Sequence, residues 1–451
     1  MSSQIKQYTQ LKKVYLILYS KKETTYDFLF FKLPHEGVFD IFSNEITLLD
    51  NGSIYAMARY MTINFPNFFT KNFFDTFPKS EILPPQKIHS YKMWENENFI
   101  FWLDNLSQNL IQYDDINEEI IYFYEIPYIN IEELNTLTEK INYKIKFIYL
   151  NKENYNNEIS ISFQLKQILE KISLKEMESH IKNSIEKREK EEYENYIILG
   201  LKTPGKDQTG FFHFPALFQS LYRKNNENWI YINVASNGIP DEKLIEKTKG
   251  ILIPGSNLSV NDDYDFLKET EIFLKKLIDD ILFNNKYPKL KILGICFGLQ
   301  IICKSLNGNI IKMENNKRVG KPNDIILNMK FWDFNFVKNA KIEKKNKFRI
   351  SQAHGENVNK LPDQKYNFEI YAKSDSCDCE VVVDKNEKIF MFQGHPEYIP
   401  EFNINRVAPF FSQDKSDEGI QNLISQFLND EFVKNVDYED LRKLCVSFLK
   451  N

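Results

Sequence analysis

The sequence predicts an α/β domain with a mostly parallel sheet, preceded by an α+β domain. Three observations carry this prediction. Between residues 195 and 412, short apolar runs alternate with helical segments, which is typical of parallel strands covered by helices on both faces. Two of these runs lead directly into turns that carry reactive side chains. A highly charged helical segment, residues 173–194, separates the two halves of the chain.

The chain of 451 residues is long enough for two or three domains, and its hydrophobic content of 42% is sufficient for their cores. We predict an N-terminal α+β domain of unknown role at residues 1–172 and a charged linker helix at 173–194. The α/β domain is predicted at residues 195–412, and a helical C-terminal extension at 413–451.

The N-terminal region mixes strand and helix patterns. Two apolar runs at residues 14–18 and 28–33, joined by a polar turn, predict a β-hairpin. The region lacks a glycine-rich phosphate-binding loop, so a fused ATP-dependent synthase is not expected. The phenylalanine-rich residues 65–77 favour core packing over a partner surface. The other predicted elements are a helix at 53–61 and strands at 97–103, 120–126 and 145–150.

The charged segment carries apolar residues at three- and four-residue spacing, namely Leu174, Met177, Ile181 and Ile185. Such a stripe predicts a helix that packs along one side and is solvated along the other. Oppositely charged neighbours three and four positions apart favour the same helix. A coiled-coil partner helix is the alternative. This helix and the N-terminal domain are therefore the candidate surfaces for a protein partner.

The α/β region has a regular order of elements. Gly320 and Pro322 predict the turn of a hairpin between residues 310 and 347. Two amphipathic helices, at 418–428 and 438–449, are predicted to form a C-terminal cap. The remaining predicted elements are strands at 196–201, 229–234, 250–253, 290–295 and 389–392, and helices at 215–223, 264–283 and 300–306.

Residues 291–300, Lys-Ile-Leu-Gly-Ile-Cys-Phe-Gly-Leu-Gln, combine a strand, a turn and a helix start around one cysteine. Glycines at 294 and 298 leave room for a sharp turn that lifts the Cys296 sulfur clear of the backbone. The N-terminus of the following helix favours the thiolate over the thiol. Cys296 is therefore the candidate nucleophile, provided that a base lies nearby.

The base is predicted about a hundred residues later, where the apolar run 389–392 ends in Gln-Gly-His-Pro-Glu-Tyr. His395 stands at the end of this strand, where α/β proteins place catalytic groups. Glu397 is near enough in the chain to bind one ring nitrogen and leave the other for a thiol. Cys296, His395 and Glu397 thus supply a nucleophile, a base and an orienting carboxylate.

These two segments resemble those of class I (triad) glutamine amidotransferases, and a third segment agrees. Residues 249–256, Lys-Gly-Ile-Leu-Ile-Pro-Gly-Ser, resemble the family strand whose glycine loop supplies an N–H to the oxyanion hole. Residues 239–243, Ile-Pro-Asp-Glu-Lys, and 352–358, Gln-Ala-His-Gly-Glu-Asn-Val, are similar to the subgroup of γ-glutamyl peptidases and GMP-synthase-amidotransferase-like proteins. The resemblance covers roughly residues 193–410.

The resemblance implies a flavodoxin-like fold for residues 195–412 and a cysteine-dependent hydrolase. Its substrates would be small molecules with a γ-glutamyl amide bond, such as γ-glutamyl peptides or glutathione conjugates, and it would need no cofactor or metal. Two alternatives stay open: a glutaminase subunit that passes ammonia to a separate synthase, and a non-catalytic scaffold protein. The implied site residues are Cys296, His395 and Glu397 for catalysis, Gly255 and Phe297 for the oxyanion hole, and Gln300 and His354 for substrate binding.

Composition excludes some other functions. The net charge is −5, and basic and acidic residues are interleaved, so no nucleic-acid surface is predicted. No apolar run is long enough to span a membrane, and the N-terminus lacks a signal-peptide core. Five cysteines without framework spacing indicate a reducing compartment, so we expect a cytoplasmic protein. Cys303, Cys377, Cys379 and Cys445 are expected to be core residues rather than metal ligands.

Overall fold

The computed structural model divides into two compact units. The first comprises Met1–Tyr193, Thr209–Ser220 and Lys224–Asn226, and the second comprises Glu194–Gln208, Leu221–Arg223 and Glu227–Asn451. The structure describes residues 13–22, 25–32, 38–45, 53–65, 99, 102–103, 106–107, 111–114, 120–126, 128–140, 145–151, 155, 159–190, 193–203, 214–224, 227–313, 318–375, 377–398, 416, 419, 422 and 435–450.

Strands and helices alternate most regularly between residues 194 and 305. The strands are β1 (Lys13–Lys22), β2 (Thr25–Lys32), β3 (Phe42–Glu45), β4 (Ile111–Asp114), β5 (Ile120–Glu125), β6 (Lys146–Leu150), β7 (Glu194–Gly200), β8 (Glu227–Asn233), β9 (Thr248–Ile253), β10 (Lys291–Ile295), β11 (Asn309–Lys312), β12 (Arg318–Leu327), β13 (Lys347–His354), β14 (Glu356–Lys360), β15 (Phe368–Ser374), β16 (Cys377–Asp384) and β17 (Ile389–Phe392). The α-helices are α1 (Ser53–Asn64), α2 (Ile131–Lys140), α3 (Phe163–Lys171), α4 (Leu174–Glu189), α5 (Phe214–Tyr222), α6 (Val234–Asn237), α7 (Glu242–Glu246), α8 (Asp265–Leu282), α9 (Phe297–Ser305), α10 (Asn335–Asn339) and α11 (Tyr438–Lys450).

The first unit is built on a six-stranded sheet with the order β4-β5-β1-β2-β6, in which β3 also pairs with β1. β1 and β2 form the predicted antiparallel hairpin, with Leu18 opposite Leu29. β1 runs parallel to β5, so the sheet is mixed. The helix predicted at 53–61 and the strands predicted at 120–126 and 145–150 are confirmed as α1, β5 and β6.

One predicted strand in this unit is wrong. At the described positions of residues 97–103, Phe99, Trp102 and Leu103 are helical and buried. With the buried Leu106, these residues recur at the i, i+3, i+4 and i+7 positions of a helix face. The strand was predicted from the apolar and aromatic composition of the segment. Such a composition does not distinguish a buried strand from a buried helix, whereas the helical spacing does.

Helices pack on both faces of this sheet. On one face, β1 side chains such as Ile17 share a core with α3 and with Leu174, Met177 and Ile181 of α4. The charged helix therefore packs along the predicted stripe and belongs to the first unit. On the other face, Phe31, Phe42 and Phe65 form an aromatic cluster with ring centroids 4.8 to 5.2 Å apart. Most of the phenylalanine-rich stretch 65–77 lies outside the described residues.

The second unit contains a nine-stranded sheet with the order β13-β12-β15-β16-β17-β10-β9-β7-β8. The five strands from β17 to β8 are parallel to one another, as the alternation of apolar runs and helices predicts. The other four strands extend the sheet by antiparallel pairing. The domain therefore has an α/β fold with a mixed sheet, and the parallel half holds β9, β10 and β17 side by side.

The predicted turn at Gly320 and Pro322 is wrong. Both residues lie inside β12, which pairs antiparallel with β13 along most of its length. The pairing register shifts between Val319 and Pro322. Proline has no backbone N–H to donate to a neighbouring strand. It is therefore accommodated where the register shifts, and the chain makes no turn there.

Helices cover both faces of the parallel half as well. α8 and α9 pack on one face through Leu274, Ile278 and Ile302. α11 packs on the other face, where the Phe448 ring lies 5.3 Å from the Phe390 ring of β17. The predicted helix 438–449 is confirmed as α11, whereas the one predicted at 418–428 falls almost wholly outside the described residues. Among the described helices, none combines the length and the apolar character needed to cross a membrane.

The end of α11 is fixed by a buried ion pair, and its loss is expected to destabilise the second unit. Lys450 Nζ lies 2.5 Å from Glu227 Oε2, with 10% and 5% of the two side chains exposed. The ammonium also lies 3.8 Å from the Tyr196 ring centroid. Lys450→Met strands a buried carboxylate and should lower the free energy of unfolding by about 3 kcal/mol.

Urea unfolding followed by circular dichroism measures this effect. The control is Lys268→Met, because Lys268 pairs with Asp263 at the surface and its loss should leave the midpoint unchanged. Equal midpoints for the two variants would show that the buried pair does not stabilise the unit.

Candidate active site

Cys296 occupies a strained turn between β10 and α9. Its backbone has φ 53° and ψ −104°, a region that residues with a side chain rarely adopt. Its N–H donates to the Phe392 carbonyl at 2.7 Å, and its own carbonyl accepts from Gln300 N–H at 3.1 Å. α9 therefore begins at residue 297, one turn before the predicted start at 300, with Cys296 as its N-cap. The sulfur thus stands at a helix N-terminus, where negative charge is favoured.

The glycines around Cys296 allow close packing of the backbone. A Cβ atom on Gly298 would lie 2.0 Å from the Ile253 carbonyl oxygen at the end of β9. A Cβ atom on Gly294 would lie 3.0 Å from the carbonyl carbon of Gly298. The first turn of α9 is therefore pressed against the end of β9, and no side chain fits between them.

His395 follows β17, the strand on the other side of β10. Its N–H donates to the Ser351 carbonyl at 2.8 Å, which ties the turn to β13. The ring Nδ1 lies 2.8 Å from Glu397 Oε1, and the ring stacks on Tyr398 at a centroid distance of 4.7 Å. Both His395 and Glu397 are buried, with 4% and 0% of their surface exposed. The imidazole is therefore held by its neighbours on two sides.

The charges around His395 favour its protonated form. Burial lowers the pKa of His395, but the Glu397 carboxylate and the Cys296 sulfur outweigh burial and raise the pKa to about 10. Nε2 is buried and is the ring nitrogen that Glu397 leaves unoccupied. This nitrogen is therefore available to exchange a proton with Cys296.

Gly255 lies against both of these side chains. A Cβ atom on Gly255 would lie 3.0 Å from His395 Cε1 and 3.7 Å from Cys296 Cβ. The loop is anchored by Ser256, whose hydroxyl donates to the Leu201 carbonyl at 2.7 Å. The predicted oxyanion residues, Gly255 and Phe297, are thus both placed beside Cys296.

Gln300 and His354 lie together, although they come from different elements. Gln300 Nε2 donates to the Glu356 carbonyl at 2.9 Å, and His354 Nδ1 lies 3.1 Å from the same oxygen. Both side chains are buried, with 3% and 6% of their surface exposed. Gln300 Nε2 and His354 Nδ1 are therefore both engaged with the chain itself. Gln300 also reaches Gln393, whose Oε1 lies 3.4 Å from Gln300 Nε2.

Gln393 is a site residue that the sequence reasoning did not single out. Its Nε2 donates to Cys296 Sγ at 3.8 Å, and its surface is completely buried. The signal was present, since Gln393 is the first polar residue after the apolar run of β17. The Ala353 carbonyl, 3.9 Å from the sulfur, is a backbone contact that side-chain patterns do not reveal. Cys303, Cys377, Cys379 and Cys445 are buried, as predicted for core residues.

Residues 215–411 match the family model described as glutamine amidotransferase class-I. The chain contains a class-I glutamine amidotransferase domain. Relatives include γ-glutamyl peptidase 2 of Arabidopsis thaliana, which is 29% identical over 53% of this chain and 88% of its own length. γ-Glutamyl peptidase 4 of the same plant is 29% identical over 57% of this chain and 96% of its length. A glutamine-hydrolysing GMP synthase of Borreliella burgdorferi (strain N40) is 30% identical over 40% of this chain and 30% of its length.

Solved structures of glutamine amidotransferases are also similar to this chain. One from Thermotoga maritima has a TM-score of 0.40 and 18% identity over 57% of this chain and all of its own. Another, from Methylobacillus flagellatus, has a TM-score of 0.38 and 14% identity over 57% of this chain and 96% of its own.

Substituting Gly298 is expected to disrupt the amidotransferase domain. Gly298→Ala places a methyl group against backbone, which cannot move aside as a side chain can, and should cost about 3 kcal/mol of stability. Thermal unfolding of the chain measures this loss. The matched control is Gly250→Ala, because there the new Cβ meets side-chain atoms of Leu449 and Tyr196 at 3.0 Å rather than backbone. An equal loss in both variants would contradict the close contact between α9 and β9.

The raised pKa of His395 predicts a pH-dependent stability. In the unfolded chain histidine titrates near 6.5, so protonated His395 stabilises the folded domain most below that pH. This stabilisation is lost as the pH rises from there through about 10, the folded value. The difference in unfolding free energy between the parent chain and His395→Gln should therefore shrink between pH 6.5 and pH 10. Urea unfolding at several pH values tests this, and a constant difference would be inconsistent with a protonated His395.

Proposed function

We propose that the amidotransferase domain hydrolyses γ-glutamyl amide bonds in γ-glutamyl peptides or glutathione conjugates, with Cys296 as nucleophile. One observation carries the proposal: the Cys296 turn, the bonded pair of His395 and Glu397, and Gly255 meet at one point. Nucleophile, base, orienting carboxylate and oxyanion loop are the parts that cysteine-dependent acyl transfer needs.

The first half of the reaction forms a thioester. His395 Nε2 holds the proton that the Cys296 thiol has given up, and the sulfur attacks the γ-carbonyl carbon of the glutamyl group. The backbone N–H groups of Gly255 and Phe297 stabilise the negative oxygen, a contribution of about 3 kcal/mol per donor. When the tetrahedral intermediate collapses, the C–N bond breaks and His395 gives its proton to the leaving amine.

The second half releases the acid. Water attacks the thioester carbon while His395 takes one of its protons, and the C–S bond then breaks to restore the sulfur. Glu397 holds the imidazole in one orientation and stabilises its positive charge in both halves. The short distance between Glu397 and Nδ1 and the raised pKa of His395 support this role.

The comparisons favour γ-glutamyl peptides over glutamine as substrate. The relatives named γ-glutamyl peptidases align over 88% and 96% of their own length, whereas the GMP synthase aligns over 30% of its length. The second candidate function is hydrolysis of glutamine, with the ammonia passed to a separate synthase. It is favoured by the 30% identity to the GMP synthase over the aligned region.

Hydrolysis of three substrates separates these functions. Amine or ammonia release is measured from glutathione, a γ-glutamyl conjugate and free glutamine. We expect release from the first two, and Cys296→Ser should lower kcat/KM at least about a thousandfold, because the nucleophile is lost. The control is Cys303→Ala, which removes another buried thiol from α9 and should retain activity.

The other outcomes decide between the alternatives. Release from glutamine alone would favour the amidotransferase subunit. No release from any of the three, together with a Cys296 that does not react with small electrophiles in a folded chain, would favour the non-catalytic scaffold.

A further inference from the structure

The Cys296 sulfur lies between a hydrogen-bond acceptor and a donor. The acceptor is the Ala353 carbonyl oxygen, 3.9 Å from Sγ, and the donor is Gln393 Nε2, 3.8 Å from Sγ. A carbonyl oxygen suits the protonated thiol, because it accepts from S–H. Once the proton has left, the same oxygen repels the sulfur, whereas the Gln393 donor stabilises the thiolate together with the helix N-terminus and the protonated His395.

The direction of the Gln393 amide is fixed by its neighbours. The Glu356 carbonyl can only accept, so the atom of Gln300 that contacts it must be the amide nitrogen. The same nitrogen contacts Gln393, so the atom of Gln393 on that side must be the accepting oxygen. The Gln393 nitrogen therefore points to Cys296. The assignment does not depend on distinguishing oxygen from nitrogen by their positions.

Burial makes this donor important. Gln393 is completely buried and Cys296 is 5% exposed, so water contributes little to stabilising charge on the sulfur. A hydrogen bond to a charged acceptor is stronger than one between neutral groups. The Gln393 backbone is itself held, since its N–H donates to the Glu380 carbonyl at 2.9 Å.

We propose that Gln393 is the residue that orients and stabilises the Cys296 thiolate, and that Gln300 and the Glu356 carbonyl fix the direction of its amide. The proposal rests on the proposed function in one respect, namely that Cys296 is the nucleophile. It gives Gln300 a role inside the site as a positioning residue, because its amide nitrogen contacts Gln393 and Glu356.

The test is the rate at which iodoacetamide alkylates Cys296 between pH 5.5 and pH 10.5, followed by mass spectrometry of the full chain. Gln393→Met keeps an unbranched side chain but removes the donor, and Gln393→Leu is a second variant should the first fold poorly. At pH 6.5 we expect the rate to fall about tenfold, the effect of losing one charge-assisted hydrogen bond. At pH 10.5 the rates should agree with the parent, because the donor acts by favouring the thiolate over the thiol, and this preference matters less as the pH rises. Gln300→Met should give a smaller fall at pH 6.5, about threefold.

The matched control is Gln352→Met. Gln352 is also completely buried, but its amide nitrogen donates to Glu380 Oε2 at 2.9 Å rather than to the sulfur. It should leave the rate–pH profile of the parent unchanged. An unchanged profile in folded Gln393→Met and Gln393→Leu would overturn the proposal. So would an equal shift in Gln352→Met, since the effect would then be a general one of buried amides.

The result also separates this proposal from the proposed function. Slow alkylation of Cys296 in the parent at pH 6.5 would overturn the assignment of Cys296 as nucleophile, and with it both proposals. Fast alkylation in the parent that persists in the Gln393 variants would overturn the role of Gln393 alone. No substrate or turnover is needed for either result.

Discussion

The close contact between the first turn of α9 and the end of β9 is the constraint on which the site depends. A Cβ atom on Gly298 would lie 2.0 Å from the Ile253 carbonyl, so the helix can approach the strand only without a side chain at that position. This approach brings the turn at Cys296 beside the loop that begins at Gly255. The packing around Cys296 leaves the turn no other conformation, and the strained φ of 53° is therefore retained.

The same constraint explains why the charged groups can be buried. His395 and Glu397 are almost completely shielded from water, and burial alone would lower the pKa of the histidine. The carboxylate at 2.8 Å and the nearby sulfur reverse this effect. An imidazolium in such a place needs its negative partners fixed in advance, because water is not available to replace them. The rigid turn at Cys296 and the stacked Tyr398 ring provide that fixed arrangement.

The parallel half of the sheet and the positions of Cys296, His395 and Glu397 follow from local sequence, because apolar runs and glycine-flanked turns are local signals.

The predictions that failed or missed a residue have a different cause. The strand predicted at 97–103 is helical at Phe99, Trp102 and Leu103, since a short apolar run is compatible with both structures until its burial is known. Pro322 lies in β12 because its partner β13 accommodates an irregular register, which depends on a distant segment. Gln393 was missed because its place after the apolar run of β17 does not show that its side chain contacts Cys296.

The distance between Cys296 and His395 depends in turn on the register of β17 against β10. Ile292 pairs with Ile389 and Ile295 with Phe392, and a slip of one residue would send each side chain to the opposite face of the sheet. The turn before β17 is held by the buried Asp384, whose carboxylate accepts N–H groups from Asn386, Lys388 and Ile389. Burial raises the pKa of Asp384, and these three donors oppose that rise by favouring the charged form. The placement of His395 beside Cys296 is therefore secured at the far end of β17, by a carboxylate that lies outside the candidate site.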